Sequence, residues 1–182
     1  VVGVGASHGG VDALLALLPH LQPGGGAAYV VAMHLAGAAE SHLPAVLARA
    51  SPLPVREVTA AVVPLAGHVY VLPPQWGLVL REGRLTLVSP GPQRPARPID
   101  ALLRSLAAGL GPRASGVVLS GEGDDGTDGL AAVGARGGAT YVQVPWLAAH
   151  PGMPRSALPY ARYCLTLEEL GVALSRHAAP PP

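Results

Sequence analysis

Three stretches of the sequence carry groups that together could perform nucleophilic acyl transfer. They are a serine in GASHG (Ser7), a histidine closing the apolar run YVVAMH (His34), and three aspartates in GEGDDGTDG (Asp124, Asp125 and Asp128). The serine pattern matches G-x-S-x-G, in which small flanking residues let a strand turn sharply into a helix and lift the hydroxyl clear of the backbone. A helix starting near Gly10 would aim free N–H groups and its positive end at the same place, which suits a developing oxyanion. Histidine, with an unperturbed pKa of about 6.5, can take and return a proton near neutrality. A carboxylate bonded to its other ring nitrogen would fix the tautomer and stabilise the imidazolium. Each group also has a plainer reading: Ser7 as a helix cap, His34 as a strand-end residue bonded to a carbonyl, Asp124 and Asp128 as caps of the helix that follows.

Other chemistries fit less well. The glycines around Ser7 suggest dinucleotide binding, but G-x-G-x-x-G needs glycine where His8 stands, and His34 occupies the strand end where a ribose-binding acid is expected. The seven histidines and one cysteine show no H-E-x-x-H, no C-x-x-C and no close histidine pair, so no metal site is expected. The DDGTDG segment imitates a calcium loop but lacks the alternating ligands and terminal glutamate.

The elements that must position these groups follow an α/β rhythm, with β-branched runs alternating with helical-period segments. Strands are expected at Val1 to Gly5, Ala28 to His34, Val55 to Val58, Ser115 to Ser120 and Thr140 to Val144. Helices are expected at Val11 to Leu18, Glu40 to Ala50, through leucines 102, 103, 106 and 110, at Thr127 to Ala135, Pro154 to Leu158 and Leu167 to Arg176. From His68 to Val88, HVYVLPP, GLVLREG and RLTLV read as an antiparallel meander, and a proline-rich loop runs from Pro90 to Pro98. The fold class is thus α/β: a doubly wound, mostly parallel sheet in a three-layer α/β/α arrangement with an appended antiparallel hairpin. Ligands of such sheets bind beyond the carboxyl ends of the strands, where Ser7, His34 and the aspartate loop all fall.

The 182 residues suit one domain, expected over residues 1–178 with a frayed proline tail at 179–182. The composition, 49% hydrophobic against 13% charged, is that of a globular chain. A formal net charge of +1 without a basic run argues against nucleic acid as a partner. No apolar run reaches the roughly 18 residues that span a bilayer, so no membrane insertion is expected and the chain reads as cytoplasmic. Cys164, the single cysteine, is expected to pack rather than react. The sequence opens on VVGVG without an initiating Met, which leaves neighbouring domains open.

In order along the chain, VGASHGGVDAL, VAMHL, GHVYVLPP, RPID before a leucine-rich helix, VVLSGEGDDGTDGL and GMPRSAL resemble the catalytic domain of chemotaxis protein-glutamate methylesterases of the CheB type, including versions fused to a methyltransferase. The resemblance runs over nearly the whole chain. It implies Ser7 as nucleophile, His34 as base and Asp125 as the aspartate orienting that base. It also implies hydrolysis of glutamate γ-methyl esters on methyl-accepting chemotaxis receptors, with deamidation of receptor glutamines as a second activity and no cofactor. A receiver or methyltransferase domain outside this chain is a further implied partner. The backbone N–H groups of His8 and Glu122 would hold the oxyanion, and Arg97, Met153 and Arg155 would border the substrate cleft. Three positions depart from the pattern: His8 replaces Thr or Ala, Met33 a common Gln, and Glu122 a frequent Met or Thr.

Two rivals remain open. An ordinary α/β-hydrolase orders its triad Ser, Asp, His and would use His150 or His177 as base. A catalytically silent module of the same fold would bind receptor or nucleotide without turnover.

Overall fold

The computed structural model describes residues 1–34, 42–89 and 97–177. Seven strands form one parallel sheet: β1 (Val2–Ala6), β2 (Tyr29–Met33), β3 (Val55–Glu57), β4 (Val69–Val71), and, after a separate hairpin of β5 (Gly77–Arg81) and β6 (Arg84–Val88), β7 (Ser115–Val118), β8 (Ala139–Gln143) and β9 (Tyr163–Leu165). Across the sheet the order is β3-β4-β2-β1-β7-β8-β9. The helices are α1 (Gly10–Leu17), α2 (Leu43–Ala50), α3 (Pro98–Leu110), α4 (Thr127–Ala135), α5 (Gly152–Ala157) and α6 (Leu167–His177). The beginning of the helix expected from Glu40, the proline run from Pro90 and the proline tail lie outside the described residues.

Two apolar layers sandwich the sheet. Leu14 and Leu17 of α1, Leu47 of α2 and Leu170 and Leu174 of α6 pack with Val2, Val4 and Val31 on one face. Ile99, Leu102, Leu103 and Leu106 of α3, Leu130 of α4 and Met153 of α5 pack with Val30 and Val118 on the other, where the hairpin contributes Leu78, Leu80 and Leu85. The doubly wound three-layer fold expected from the sequence is therefore what the chain forms.

The alternation within β1 sets the position of α3. Val2, Val4 and Ala6 face α1, whereas Gly3 and Gly5 face α3. A Cβ added to Gly3 would lie 2.6 Å from Leu103, and one on Gly5 would run into Ile99. Without side chains there, α3 lies close over the central strand, and its N-terminus reaches the carboxyl end of β1.

Two expectations are corrected. The HVYV run is not part of an antiparallel meander: Val69–Val71 enters the parallel sheet between β2 and β3. Among the described strands β5 and β6 alone pair antiparallel, joined by Glu82 and Gly83, both at positive φ (49° and 74°), as a two-residue primed turn requires. Strand β9 was not foreseen at all. It carries Cys164, which is exposed rather than packed, and partial burial nonetheless pushes its thiol pKa up.

Candidate active site

The chain runs from β1 to β2 and β4 on one side, then returns through α3 to β7 on the other side of β1. Ser7 follows β1 at this reversal, the place where open α/β sheets bind ligands. Parallel pairing aligns Ala6 with Met33, so Ser7 and His34 are the next residues of neighbouring strands, and the His34 N–H donates to the Ala6 carbonyl at 3.3 Å. On the other side the Ser7 N–H donates to the Ser120 carbonyl at 3.0 Å. Ser7 is buried and does not cap α1, whose N-cap is Gly9 with no side-chain hydrogen bond. The strand-to-helix turn runs from Ser7 to Gly10, whose N–H donates to the Ser7 carbonyl at 2.8 Å, and its left-handed residue is Gly9 (φ 70°).

His34 is bonded to a carboxylate rather than to a carbonyl: its Nε2 lies 2.7 Å from Asp125 Oδ2. Asp125 is buried at the N-terminus of α3, where its Oδ2 accepts the Ile99 N–H at 3.1 Å and its Oδ1 the Asp100 N–H at 2.9 Å. Burial alone would raise the Asp125 carboxyl. The hydrogen bonds to His34, Asp100 and Ile99 outweigh it and hold the group below the usual aspartate value. An ionised carboxylate only accepts, so Nε2 is the protonated nitrogen facing Asp125, and in the neutral imidazole the lone pair is the one on Nδ1.

Asp100, which the sequence did not mark as functional, is the other buried carboxylate among the described residues. Its Oδ1 accepts the Gly126 and Gly129 N–H groups at 3.0 and 2.6 Å, capping α4. Burial pushes its pKa up, and the hydrogen bonds from Gly129 and Arg97 only partly offset this. An acid in the first turn of a proline-started helix was the visible signal; its partners lie 26 and 29 residues away. The capping roles expected of Asp124 and Asp128 are therefore overturned. Asp124 receives Arg97, and Asp128 receives Arg104 at 2.8 Å across an exposed pair.

The three residues expected to border the cleft are placed differently from one another. Arg97 is committed to the acidic loop: it bonds Asp100 through Nε and the Asp124 carbonyl through Nη2 at 2.7 Å, and it stands 3.9 Å from Asp125 Oδ1. Met153 is fully buried behind the 120–122 turn, its N–H donating to the Gly121 carbonyl at 2.8 Å. Arg155 is exposed and has no ion-pair partner among the described residues. Among the same residues neither the His8 nor the Glu122 N–H donates to a protein acceptor, whereas the Gly121 N–H is taken by the His150 carbonyl at 2.9 Å. Of the two rival bases, His150 pairs with Glu122 at 2.8 Å, and the side chain of His177 lies outside the described residues.

Fold and site together define a doubly wound α/β domain with a serine, a histidine and a buried aspartate gathered at its switch point. The chain belongs to the CheB methylesterase family, whose pattern matches residues 2–174. It is 37% identical over 165 residues to protein-glutamate methylesterase/protein-glutamine glutaminase 1 of Xanthomonas euvesicatoria pv. vesicatoria, covering 86% of this chain and 45% of that protein. A similar match, 37% over 163 residues, 87% of this chain and 44% of the relative, is to protein-glutamate methylesterase/protein-glutamine glutaminase 3 of Geobacter sulfurreducens. The chain thus spans about half the length of these curated relatives. The fold superposes on the crystal structure of the Thermotoga maritima CheB methylesterase catalytic domain with a TM-score of 0.86 at 28% identity, covering 96% of each chain. No described helix is long and apolar enough to cross a membrane.

Proposed function

We propose that this domain hydrolyses glutamate γ-methyl esters of chemotaxis receptors, with Ser7 as nucleophile, His34 as general base and Asp125 orienting the base. The observation that carries the reading is the 2.7 Å bond from His34 Nε2 to Asp125, made by a histidine whose strand flanks Ser7 in register. The catalytic nitrogen is then Nδ1. It takes the Ser7 proton as Oγ attacks the ester carbonyl and returns it to the departing methoxy group, which leaves as methanol. Water, deprotonated by the same nitrogen, attacks the acyl-enzyme and releases the glutamate side chain and the serine. The His8 and Glu122 N–H groups hold the oxyanion of both tetrahedral adducts. The same sequence on a glutamine amide would release ammonia, the second activity carried in the names of the relatives. Arg155, exposed and without an ion-pair partner among the described residues, is the cation left to meet an acidic receptor helix.

The test is methanol release from receptor-bearing membranes carrying labelled methyl esters, comparing the wild type with Ser7→Ala. Release by the wild type alone supports both substrate and nucleophile. Release by neither, across several receptors, rejects the substrate class, and equal release by both rejects Ser7.

A further inference from the structure

Three residues at the mouth of the site form one connected group that the proposed triad does not use: His8, Glu122 and His150. The His150 ring places Nδ1 2.8 Å from Glu122 Oε1, and its centroid lies 5.5 Å from that of His8 at a tilt of 52°. Its backbone is tied to the same two turns. The His150 N–H donates to Ser120 Oγ at 3.0 Å, Ser120 Oγ donates to the His8 carbonyl at 2.8 Å, and the His150 carbonyl accepts the Gly121 N–H at 2.9 Å. The Gly121 turn rests directly on the nucleophile, since a Cβ added there would lie 2.9 Å from Ser7 Cβ.

Glu122 brings a problem to this place. Its backbone N–H is one of the two groups assigned to the oxyanion, so its own carboxylate is a negative charge beside a developing negative charge. The side chain is 59% exposed and that of His150 40% exposed, so their pairing contributes little to folding. Its consequence is local: while His150 donates to it, the carboxylate is engaged at the lip and its charge is partly offset.

We infer that His150 is a positioning residue of the hydrolytic site, its ring holding the Glu122 carboxylate off the oxyanion while its backbone bonds fix the ring at the lip. The inference rests on the Ser7 hydrolase reading but not on the receptor as substrate. Its test therefore uses a fluorophosphonate, whose phosphorus is attacked by Ser7 Oγ with loss of fluoride while His34 takes the proton; modification is followed by the mass of the Ser7 peptide. His150→Ala should lower the limiting rate of modification about tenfold and leave the probe's KI within about twofold, the split expected of a group acting only in the transition state. His150→Asn, which keeps a donor where Nδ1 stood, should restore most of the rate. In a Glu122→Gln background the loss on removing His150 should shrink to less than about twofold, because the charge it offsets is gone.

An unchanged rate in His150→Ala, an equal loss in both backgrounds, or a wild-type Ser7 that the probe does not modify overturns the inference. If the variants follow the expected pattern while no receptor yields methanol, the substrate reading fails and the positioning role stands. If methanol release is real and indifferent to His150, the reverse holds.

Discussion

Asp125 and Asp100 cap each other's helices. Asp125, before α4, accepts the Ile99 and Asp100 N–H groups that open α3, and Asp100, in the first turn of α3, accepts the Gly126 and Gly129 N–H groups that open α4. The carboxylate facing His34 is therefore fixed by two helix ends at once. Asp100→Ala strips both bonds from the start of α4 and leaves Arg97 without its Nε partner. A cap loss is worth about 1 kcal/mol and each stranded buried donor about as much again, so destabilisation of roughly 2–4 kcal/mol is expected in urea unfolding. Asp100→Asn, which keeps an acceptor, should lose less.

The two carboxylates should respond to acid in opposite directions. The folded Asp125 carboxyl lies below its unfolded value, so the stability it contributes is present above that value, about 3.9, and is lost as pH falls through the lower folded value. Asp100 is raised, so its contribution is present below the unfolded value and is lost as pH rises through the higher folded value. Over the acid range, Asp125→Asn should fall further behind the wild type as pH rises, while Asp100→Asn should gain on it. Urea midpoints measured at a series of pH values would contradict this if both differences moved the same way.

Asp125→Asn should lower methanol release by a factor of about 10² to 10⁴, because an amide at that position no longer enforces a proton on His34 Nε2. Asp124→Asn should stay within about threefold, since the Asp124 side chain is 66% exposed and among the described residues pairs with Arg97 alone, which also holds the Asp124 carbonyl. Equal losses in the two variants would remove the distinction between them and with it the orienting role of Asp125.

Which parts of this arrangement were legible in the sequence follows from how local each signal is. Ser7 and His34 stand at the ends of apolar β-branched runs, and a doubly wound sheet puts such ends side by side, so residue type and position sufficed. Strand β9 is three residues long with an exposed cysteine at its centre, and nothing in its pattern separates it from a loop. Val69–Val71 is an apolar run between turns that fits a parallel or an antiparallel neighbour equally well; only its bridges to β2 and β3 decide. The reciprocal caps were hidden because each acid serves a helix some 25 residues away, whereas the capping expected of Asp124 and Asp128 assumed local partners. Arg97 was expected to face substrate, and the structure spends its guanidinium on the loop that holds Asp125.

Ser7→Ala should abolish turnover while leaving stability within about 0.5 kcal/mol, since the hydroxyl caps no helix. That pairing of outcomes separates a nucleophile from a structural serine, and thermal unfolding beside methanol release reads both. A variant that also unfolded several degrees lower would return Ser7 to a structural role.

Gly5→Ala should show the converse, a loss of activity that begins in packing. The added methyl would run into Ile99, the residue whose N–H bonds Asp125, and overpacking of this kind costs about 1–3 kcal/mol. The easiest relief is for the start of α3 to move off the sheet, carrying with it the two N–H groups that hold the Asp125 carboxylate. Activity should therefore fall at temperatures where the variant is still folded, and adding Ile99→Ala, which removes the Cγ2 that the new methyl meets, should recover part of the turnover per folded molecule. If Gly5→Ala lost stability but kept full turnover in its folded fraction, the close approach of α3 to β1 would serve the core alone, not the placement of Asp125.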